Sequence, residues 1–201
     1  MEVLLLKRHP RLDVHGGSWV FPGGGIASED RSAAGDTLEA ARQAAVRELQ
    51  EESGLALRPD QLVAFQQWTT PEGLPRRFHV WFFASEVTDG KVTVDQHEIV
   101  DYSWKTPMAA LHCHGSGKMT LPAPTFVTLT RLAKFTDPGH CLSALRRGPV
   151  MAFTPKLLST REGLCALYEG DAGYETADPY ASGPQHRLWM KDAGWHYVND
   201  A

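Results

Sequence analysis

The sequence contains little cysteine. Its three cysteines, Cys113, Cys141 and Cys165, are an odd number and form no CxxC pair. These features exclude a disulfide framework and a zinc site of the usual spacing. No apolar run approaches the ~20 residues that a membrane-spanning helix needs. The apolar run near the start is also too short for the apolar region of a secretory signal, because charged residues follow it at once. We therefore expect a protein of the reducing cytoplasm, without a membrane partner.

An excess of positive charge is also absent. Lys and Arg number 20 against 24 Asp and Glu, which leaves a net charge of -4. A protein that binds duplex nucleic acid needs a basic face, because much of its affinity comes from phosphate contacts. We therefore expect no nucleic-acid partner.

The hydrophobic periodicity predicts a mixed α/β fold. We expect one domain over 1–135 and a C-terminal extension over 136–201 that packs on it. The predicted strands cover 3–7, 62–69, 77–87 and 91–94, and a final hairpin is predicted from 187–191 and 195–198. One helix is predicted from 36 or 37 to about 53, and a second after Pro122 and Pro124. The run His112-Cys113-His114 is predicted to be a loop, because no second ligand pair lies at a zinc spacing.

Three glutamates, Glu48, Glu51 and Glu52, share one face of the first predicted helix. At ~100° per residue, Glu48 and Glu52 lie ~40° apart, with Glu51 ~60° to the other side of Glu48. Such like charges destabilise a helix by roughly 0.2–0.5 kcal/mol per pair, so a positive charge should compensate. A solvated acidic face is the common alternative. The upstream run Phe21-Pro22-Gly23-Gly24-Gly25 favours a hard-cation site instead, since glycines permit close backbone approach.

This segment resembles the box of the Nudix hydrolase superfamily, G-x5-E-x7-R-E-U-x-E-E-x-G-U, in which U is aliphatic. The matching positions are Glu39, Arg47, Glu48, Leu49, Glu51, Glu52, Gly54 and Leu55. The box glycine is displaced, because Gly24 precedes Glu39 by 15 positions where the box has six. We therefore expect nine extra residues within 26–36, in a polar loop over 25–36 that lies over solvent and is not a metal site.

The resemblance implies an α/β/α sandwich around a mixed β-sheet, with an extra C-terminal segment. It also implies hydrolysis of a nucleoside diphosphate linked to another moiety, with Mg²⁺ or Mn²⁺ as cofactor. The implied metal ligands are Glu48, Glu51, Glu52 and the Gly24 carbonyl, and Glu51 is also a candidate for the catalytic base.

Other positions of the box are implied to be structural. Glu39 lies ~180° from Glu48 around the helix, so we predict that it pairs with Arg47 or caps the helix. Gly54 is predicted to end the helix in the left-handed conformation. Glu98 resembles the loop glutamate that completes the metal site or acts as base in Nudix enzymes.

The upstream residues also resemble the coenzyme A diphosphatase signature, LLTxR(S/A)x3Rx3Gx3FPGG. Its spacing is kept from Leu4 to Gly24, but Leu6, His9 and Asp13 depart from it. Segments 70–72, 75–78, 82–83 and 121–125 are similar to the branch that contains the peroxisomal acyl-CoA diphosphatases. We predict Arg8, Arg76 and Arg77 as substrate contacts, since guanidinium forks pair with phosphate. For Arg76 and Arg77, a solvated strand entry is the alternative.

Three functions stay open. The first is a metal-dependent diphosphatase that acts on CoA or acyl-CoA. The second is a Nudix diphosphatase for a dinucleotide or nucleotide sugar, because Asp13 breaks the CoA signature. The third is a non-catalytic nucleotide-binding module, which the complete set of box glutamates argues against. Family members also have a strand before 3–7. We therefore expect either a truncated start or an open sheet edge that is covered by another segment, such as the C-terminal hairpin, or by a second copy of the chain in a homodimer.

Overall fold

The computed structural model describes residues 1–32, 37–71, 78–88 and 90–200. The chain forms two compact units, one from Met1–Phe65 and Phe83–Pro149 and the other from Gln66–Phe82 and Val150–Ala201. The boundary of the first unit lies beyond residue 135 because another helix belongs to it. That residues 136–201 are an extension packed on the domain stays a prediction.

The described elements include both helices and strands in one chain, which confirms the predicted mixed α/β class. The strands are β1 (Val3–Arg8), β2 (Trp19–Val20), β3 (Val63–Thr69), β4 (His79–Ala84), β5 (Ile99–Lys105), β6 (Met151–Phe153), β7 (Lys156–Thr160), β8 (Gly163–Leu167), β9 (His186–Lys191) and β10 (Gly194–Asn199). The helices are α1 (Ser28–Ser32) and α2 (Thr37–Ser53), between β2 and β3, and α3 (Pro107–Gly115), α4 (Ala123–Leu132) and α5 (Pro138–Arg147), between β5 and β6. A short 3-10 turn covers Pro59–Gln61.

Strand β1 is the middle strand of a three-stranded sheet in the first unit. It pairs antiparallel with β2 on one side and β5 on the other. Strand β2 pairs with only Leu6 and Lys7 of β1, so it covers part of that edge of β1. Cover of an open sheet edge by the C-terminal hairpin or by a second copy of the chain stays a prediction. Leu4, Leu6 and Ile99 of this sheet pack with Leu55 and Val92 in one buried cluster.

The end of α2 is connected to this core by a tight turn. Gly54 has a φ of +72°, which confirms the predicted left-handed residue at the helix end. The next core segment was predicted as a strand over 91–94, but it is irregular. Its Thr93 N–H donates to the Ser53 carbonyl at 2.8 Å, so the backbone is bonded to a helix end instead of a strand.

Three helices of the first unit, α1, α3 and α5, were not predicted. Helix α1 lies within the segment predicted as a loop over 25–36. The run His112-Cys113-His114 lies in α3, so its prediction as a loop is wrong. The missed signal is a Thr-Pro start, in which the Thr106 hydroxyl accepts from the Ala109 N–H at 3.2 Å. Helix α5 has a similar start, with the Asp137 carboxylate accepting from the His140 N–H at 2.7 Å and Pro138 at the first helical position.

The second unit contains a four-stranded antiparallel sheet in the order β10-β9-β8-β7. The predicted final hairpin is confirmed as β9 and β10. Aromatic rings form the core of the unit, with Trp68 stacked on Phe153 at 4.3 Å between centroids and Tyr168 edge-on to both. A buried ion pair joins Arg187 to Asp171, at 2.7 Å from Nε to Oδ2 and 2.7 Å from Nη2 to Oδ1.

Candidate active site

Helix α2 carries the three clustered glutamates, and Arg47 supplies the compensating positive charge. One Arg47 guanidinium nitrogen, Nη1, donates to Glu48 Oε1 at 2.9 Å and to Glu51 Oε2 at 3.0 Å. The Glu51 side chain is more than half exposed, whereas the Glu48 side chain is mostly covered. The like charges of the acidic face are therefore partly neutralised within the same helix.

The glycine-rich loop packs directly on the carboxylates of α2. The Gly23 N–H donates to Glu52 Oε2 at 2.8 Å. A side chain at position 24 would begin 2.3 Å from the Glu48 carboxylate. A side chain at this position would require the Glu48 carboxylate to move, so glycine lets the loop backbone lie against Glu48 in its present position.

Glu52 is buried in this arrangement, with 4% of its surface exposed. Burial is the largest cause that raises the pKa of Glu52 to about 7. The negative charges of Glu48 and Glu98 also raise the pKa, whereas the Gly23 N–H and the Arg8 charge lower it. Glu52 is thus a buried carboxylate among other carboxylates, without enough positive charge around it to favour its ionised form.

Arg8 and Glu98 come from the ends of two paired strands. Arg8 is the last residue of β1 and Glu98 directly precedes β5. Arg8 Nη2 lies 3.9 Å from Glu98 Oε2, and the His9 N–H donates to the Glu98 carbonyl at 2.7 Å. The Glu98 side chain is 60% exposed, so it is free to reorient toward a ligand. This pairing brings both predicted residues to the side of Glu52.

The structure adds one residue that the sequence interpretation missed. Asp30 lies in α1, is 5% exposed and accepts from Arg47, at 3.0 Å from Nη2 and 3.3 Å from Nε. The hydrogen bond from Arg47 is the largest cause that holds the pKa of Asp30 below its ordinary value. The Ala27 N–H donates to the same carboxylate at 2.7 Å. Part of the loop predicted to lie over solvent is therefore buried against the site.

Asp30 also changes the placement of the insertion. It follows Gly24 by six positions, which is the spacing of the box glutamate after the box glycine. Sixteen residues then separate Asp30 from Arg47, where the box has seven. The extra nine residues thus follow Asp30, whereas we had placed them within 26–36. The missed signal was the G-x5-D spacing itself, with Asp in place of Glu.

Glu39 takes other partners. It accepts from Gln43 Nε2 at 3.2 Å and lies 3.9 Å from Arg42 Nε, both within α2. The predicted pairing with Arg47 is instead made by Asp30, because Glu39 lies two helical turns from Arg47.

The first unit thus brings together most of the predicted site. The residues that contact or influence one another are Arg8, Gly24, Arg47, Glu48, Glu51, Glu52 and Glu98. Arg76 and Arg77 lie outside the described residues, so their part in substrate binding stays a prediction. Within the described ranges, no three side chains of His, Cys, Asp or Glu are grouped as around a metal ion.

The donor set nevertheless fits a hard divalent cation. All the candidate donors are oxygen atoms, which Mg²⁺ and Mn²⁺ prefer. The raised pKa of Glu52 indicates a deficit of positive charge that a cation would supply. Glu48 and Glu51 contact Arg47 instead. To bind a cation together with Glu52, the Glu48 and Glu51 carboxylates would therefore have to turn away from Arg47.

Two comparisons with other proteins place this architecture among known ones. A relative from Caenorhabditis elegans, "Putative nudix hydrolase 7", is 29% identical over 70% of this chain and 58% of its own length. The chain thus spans less than two thirds of that relative. A NUDIX hydrolase structure from Alicyclobacillus acidocaldarius has a TM-score of 0.63 at 22% identity, covering 74% of this chain and 90% of its own. At that identity the likeness shows the fold.

No helix in the described part of the chain is both long and apolar enough to cross a membrane. The NUDIX domain model matches residues 1–121, which is more than half of the chain. This match includes the glycine loop, the whole of α2 and Glu98, so the site described above lies within it. The chain belongs to the NUDIX domain family.

Proposed function

We propose that this chain is a Nudix hydrolase that cleaves the diphosphate bond of a nucleotide, with a divalent cation as cofactor and CoA or an acyl-CoA as substrate. One observation carries the proposal. Glu52 is buried beside Glu48 and Glu98, and its pKa is raised to about 7. A stable fold tolerates such an undercompensated carboxylate mostly at a site where a ligand completes the charge balance.

Different residues of the site have different proposed roles. Glu48 and Glu52 would hold the cation, with Gly24 and Glu51 as further oxygen donors. When bound, a divalent cation neutralises diphosphate charge and lowers the pKa of an attacking water. Arg47, anchored by Asp30, fixes the direction of Glu48 and Glu51.

Two exposed carboxylates are candidates for the general base. Glu51 and Glu98 are each more than half exposed, so either is accessible to a water molecule at the site. Glu98 lies against Arg8, whose Nε also donates to the Val14 carbonyl at 3.2 Å. The remaining guanidinium nitrogen of Arg8 is the predicted contact for a substrate phosphate.

The choice of CoA depends on the upstream signature from Leu4 to Gly24, which keeps its spacing and Arg8. The name of the Caenorhabditis elegans relative supports hydrolysis in general. A dinucleotide or nucleotide sugar is the second candidate substrate, because Asp13 replaces the second arginine of the signature.

A substrate panel tests this choice. CoA, a short-chain and a long-chain acyl-CoA, ADP-ribose, NADH and a diadenosine polyphosphate are incubated with the chain and Mg²⁺, and the products are separated by chromatography. We expect CoA compounds to have the highest kcat/KM and to release a 3′,5′-phosphorylated adenosine and a phosphopantetheine product. A tenfold higher kcat/KM for another compound rejects CoA as the substrate, whereas hydrolysis of none of them rejects the proposed activity.

Substitutions test the site. Glu51→Gln and Glu52→Gln should each lower kcat by at least ~100-fold, because each removes a charge that acts on the transition state. Glu86→Gln, at an exposed position of the same unit, is the matched control and should keep wild-type turnover. Near wild-type turnover by a folded Glu52→Gln variant contradicts the assignment, with folding checked by circular dichroism.

A further inference from the structure

A cavity of about 220 Å³ lies in the first unit beside the ends of α4 and α5. Its apolar walls include Phe65, Leu132, Phe135 and Leu145, and two cationic side chains, Arg131 and Lys134, also line it. None of the residues that form the candidate active site lines this cavity. It is therefore a separate feature of the unit, not a part of the carboxylate site.

Positive charge is concentrated around this cavity. Between residues 131 and 150 the chain has four basic residues, Arg131, Lys134, Arg146 and Arg147, and one acidic residue, Asp137. The chain as a whole has a net charge of -4. Arg146 and Arg147 lie between Leu145 and Gly148, which both line the cavity. The acidic residue of this segment does not line it, and its carboxylate caps α5.

Helix stabilisation accounts for only part of this charge. Arg131, Arg146 and Arg147 lie in the last turns of α4 and α5, where a cation stabilises a helix by roughly 0.3–1 kcal/mol. Lys134 follows the end of α4, is exposed and is one of the residues that line the cavity. Phe65 and Leu132 of the apolar wall are buried, and low-dielectric surroundings strengthen electrostatic attraction.

We propose that this cavity binds a small organic anion that has an apolar body, such as an aryl phosphate or a short-chain carboxylate. The anionic group pairs with Arg131 and Lys134, and the apolar body packs on Phe65 and Leu132. The cavity is smaller than the ~300–1,000 Å³ typical of drug-sized ligands, which favours a compound smaller than a nucleotide. The proposal is independent of the diphosphatase activity, since none of these residues takes part in it.

Isothermal titration calorimetry on the full chain, with phenyl phosphate, hexanoate and inorganic phosphate as separate ligands, tests this site. We expect at least one organic anion to bind with a Kd below about 1 mM, or roughly -4 kcal/mol, and at least tenfold more tightly than inorganic phosphate. The phosphate and carboxylate arms show which anionic group the cations prefer. No binding by either organic anion, or equal affinity for inorganic phosphate, overturns the proposal.

Variants separate the cavity from general surface charge. The double variant Arg131→Gln/Lys134→Gln should weaken the organic anion at least tenfold, whereas Arg58→Gln/Lys118→Gln, at exposed positions, should not change its affinity. Ala144→Leu fills the cavity from α5 without altering any charge, and should also weaken binding at least tenfold. Unchanged affinity in folded Ala144→Leu overturns the proposal even if the double variant fails to fold.

Discussion

Two buried carboxylates, one in each unit, have opposite electrostatic surroundings. Glu52 in the first unit is 4% exposed and Asp171 in the second is 6% exposed. Burial raises the pKa of both side chains. For Glu52 it prevails, and the pKa rises to about 7. For Asp171, hydrogen bonds from Arg187 and from the Gly173 and His186 N–H groups outweigh burial, and the pKa lies below its ordinary value.

The difference lies in the positive charge that the fold places beside each carboxylate. Asp171 has its compensating cation within the fold, since Arg187 forms a bidentate ion pair with it. Glu52 has one N–H donor and neighbouring negative charges. The charge of Asp171 is therefore balanced within the fold, whereas the raised pKa of Glu52 supports the proposed role of this side chain in binding a cation.

Breaking the complete pair should have the largest effect. Asp171→Asn leaves the guanidinium of Arg187, which is 3% exposed, without its countercharge. We expect a loss of about 3–5 kcal/mol in the free energy of unfolding, as for other buried pairs from which one partner is removed. Urea unfolding followed by tryptophan fluorescence measures it.

Two controls sharpen this result. Asp60→Asn breaks the exposed pair between Arg58 and Asp60 and should leave the unfolding curve unchanged, because water and salt screen such pairs. Asp171→Leu/Arg187→Met removes both charges and should recover much of the stability lost in Asp171→Asn. Equal stability of Asp171→Asn and the wild type would show that the pair does not hold the second unit.

The second prediction uses the pH dependence of Glu52. Its pKa rises on folding from an ordinary 4.5 to about 7, so between these values the folded state keeps a proton that the unfolded state has lost. The stability of the metal-free protein should therefore fall as pH rises from 4.5 to 7, by up to about 3 kcal/mol at 1.36 kcal/mol per pKa unit. The pKa of Asp171 is lowered on folding, so its effect on stability has the opposite sign and occurs at lower pH. The stability that Asp171 contributes is lost only as pH falls below the ordinary pKa of the side chain.

Chemical unfolding in EDTA at pH 5 and pH 8 measures this slope. In Glu52→Gln the fall should be absent, because the amide does not titrate. Adding Mg²⁺ to the wild type at pH 8 should restore stability, since a ligand that binds only the folded state stabilises it. A slope that is the same in Glu52→Gln and the wild type would show that Glu52 is not the group responsible.

The sequence was informative where a local pattern determines the structure. The spacing of Glu48, Glu51 and Glu52 predicted their common face, because that face follows from helix geometry alone. Asp30 was not recognised, because the box was aligned on Glu39 and because the burial of Asp30 depends on a contact with Arg47, 17 positions away. The short helices α3 and α5 were missed for a different reason, since each begins with a capping residue and a proline that also occur in loops.

Asp30 gives the third prediction, of intermediate size. Asp30→Asn keeps the volume of the side chain but removes the charge that holds Arg47, so Glu48 and Glu51 lose a fixed direction. We expect kcat to fall about tenfold, or roughly 1.4 kcal/mol, with metal affinity lowered in the same range. Asp30→Glu restores the charge at this box position and should recover part of the loss. Steady-state kinetics measures kcat, and calorimetric Mg²⁺ titration measures metal affinity. Equal kcat and metal affinity in Asp30→Asn, Asp30→Glu and the wild type would exclude Asp30 as the residue that positions Arg47.

The smallest effect on the metal site is expected from removing the nine extra residues in the right place. Deletion of residues 31–39 keeps Asp30 and restores seven residues between it and Arg47, whereas deletion of residues 27–35 removes Asp30 and leaves Glu39 at the box spacing. Both variants have the same length. They differ in which acid remains to pair with Arg47.

We expect the 31–39 deletion to keep metal affinity within about threefold of the wild type, below ~1 kcal/mol, because Asp30, Arg47 and the three glutamates of α2 all remain. The 27–35 deletion should bind Mg²⁺ at least tenfold more weakly, because Glu39 is directed at Arg42 and Gln43.

In the 31–39 variant we also expect altered KM ratios between long-chain and short-chain CoA substrates, since the insertion adjoins the site through Asp30. Equal Mg²⁺ affinities in the two deletions would show that Asp30 does not anchor Arg47. Unchanged KM ratios in a folded 31–39 variant would show that the insertion does not shape the substrate side of the site.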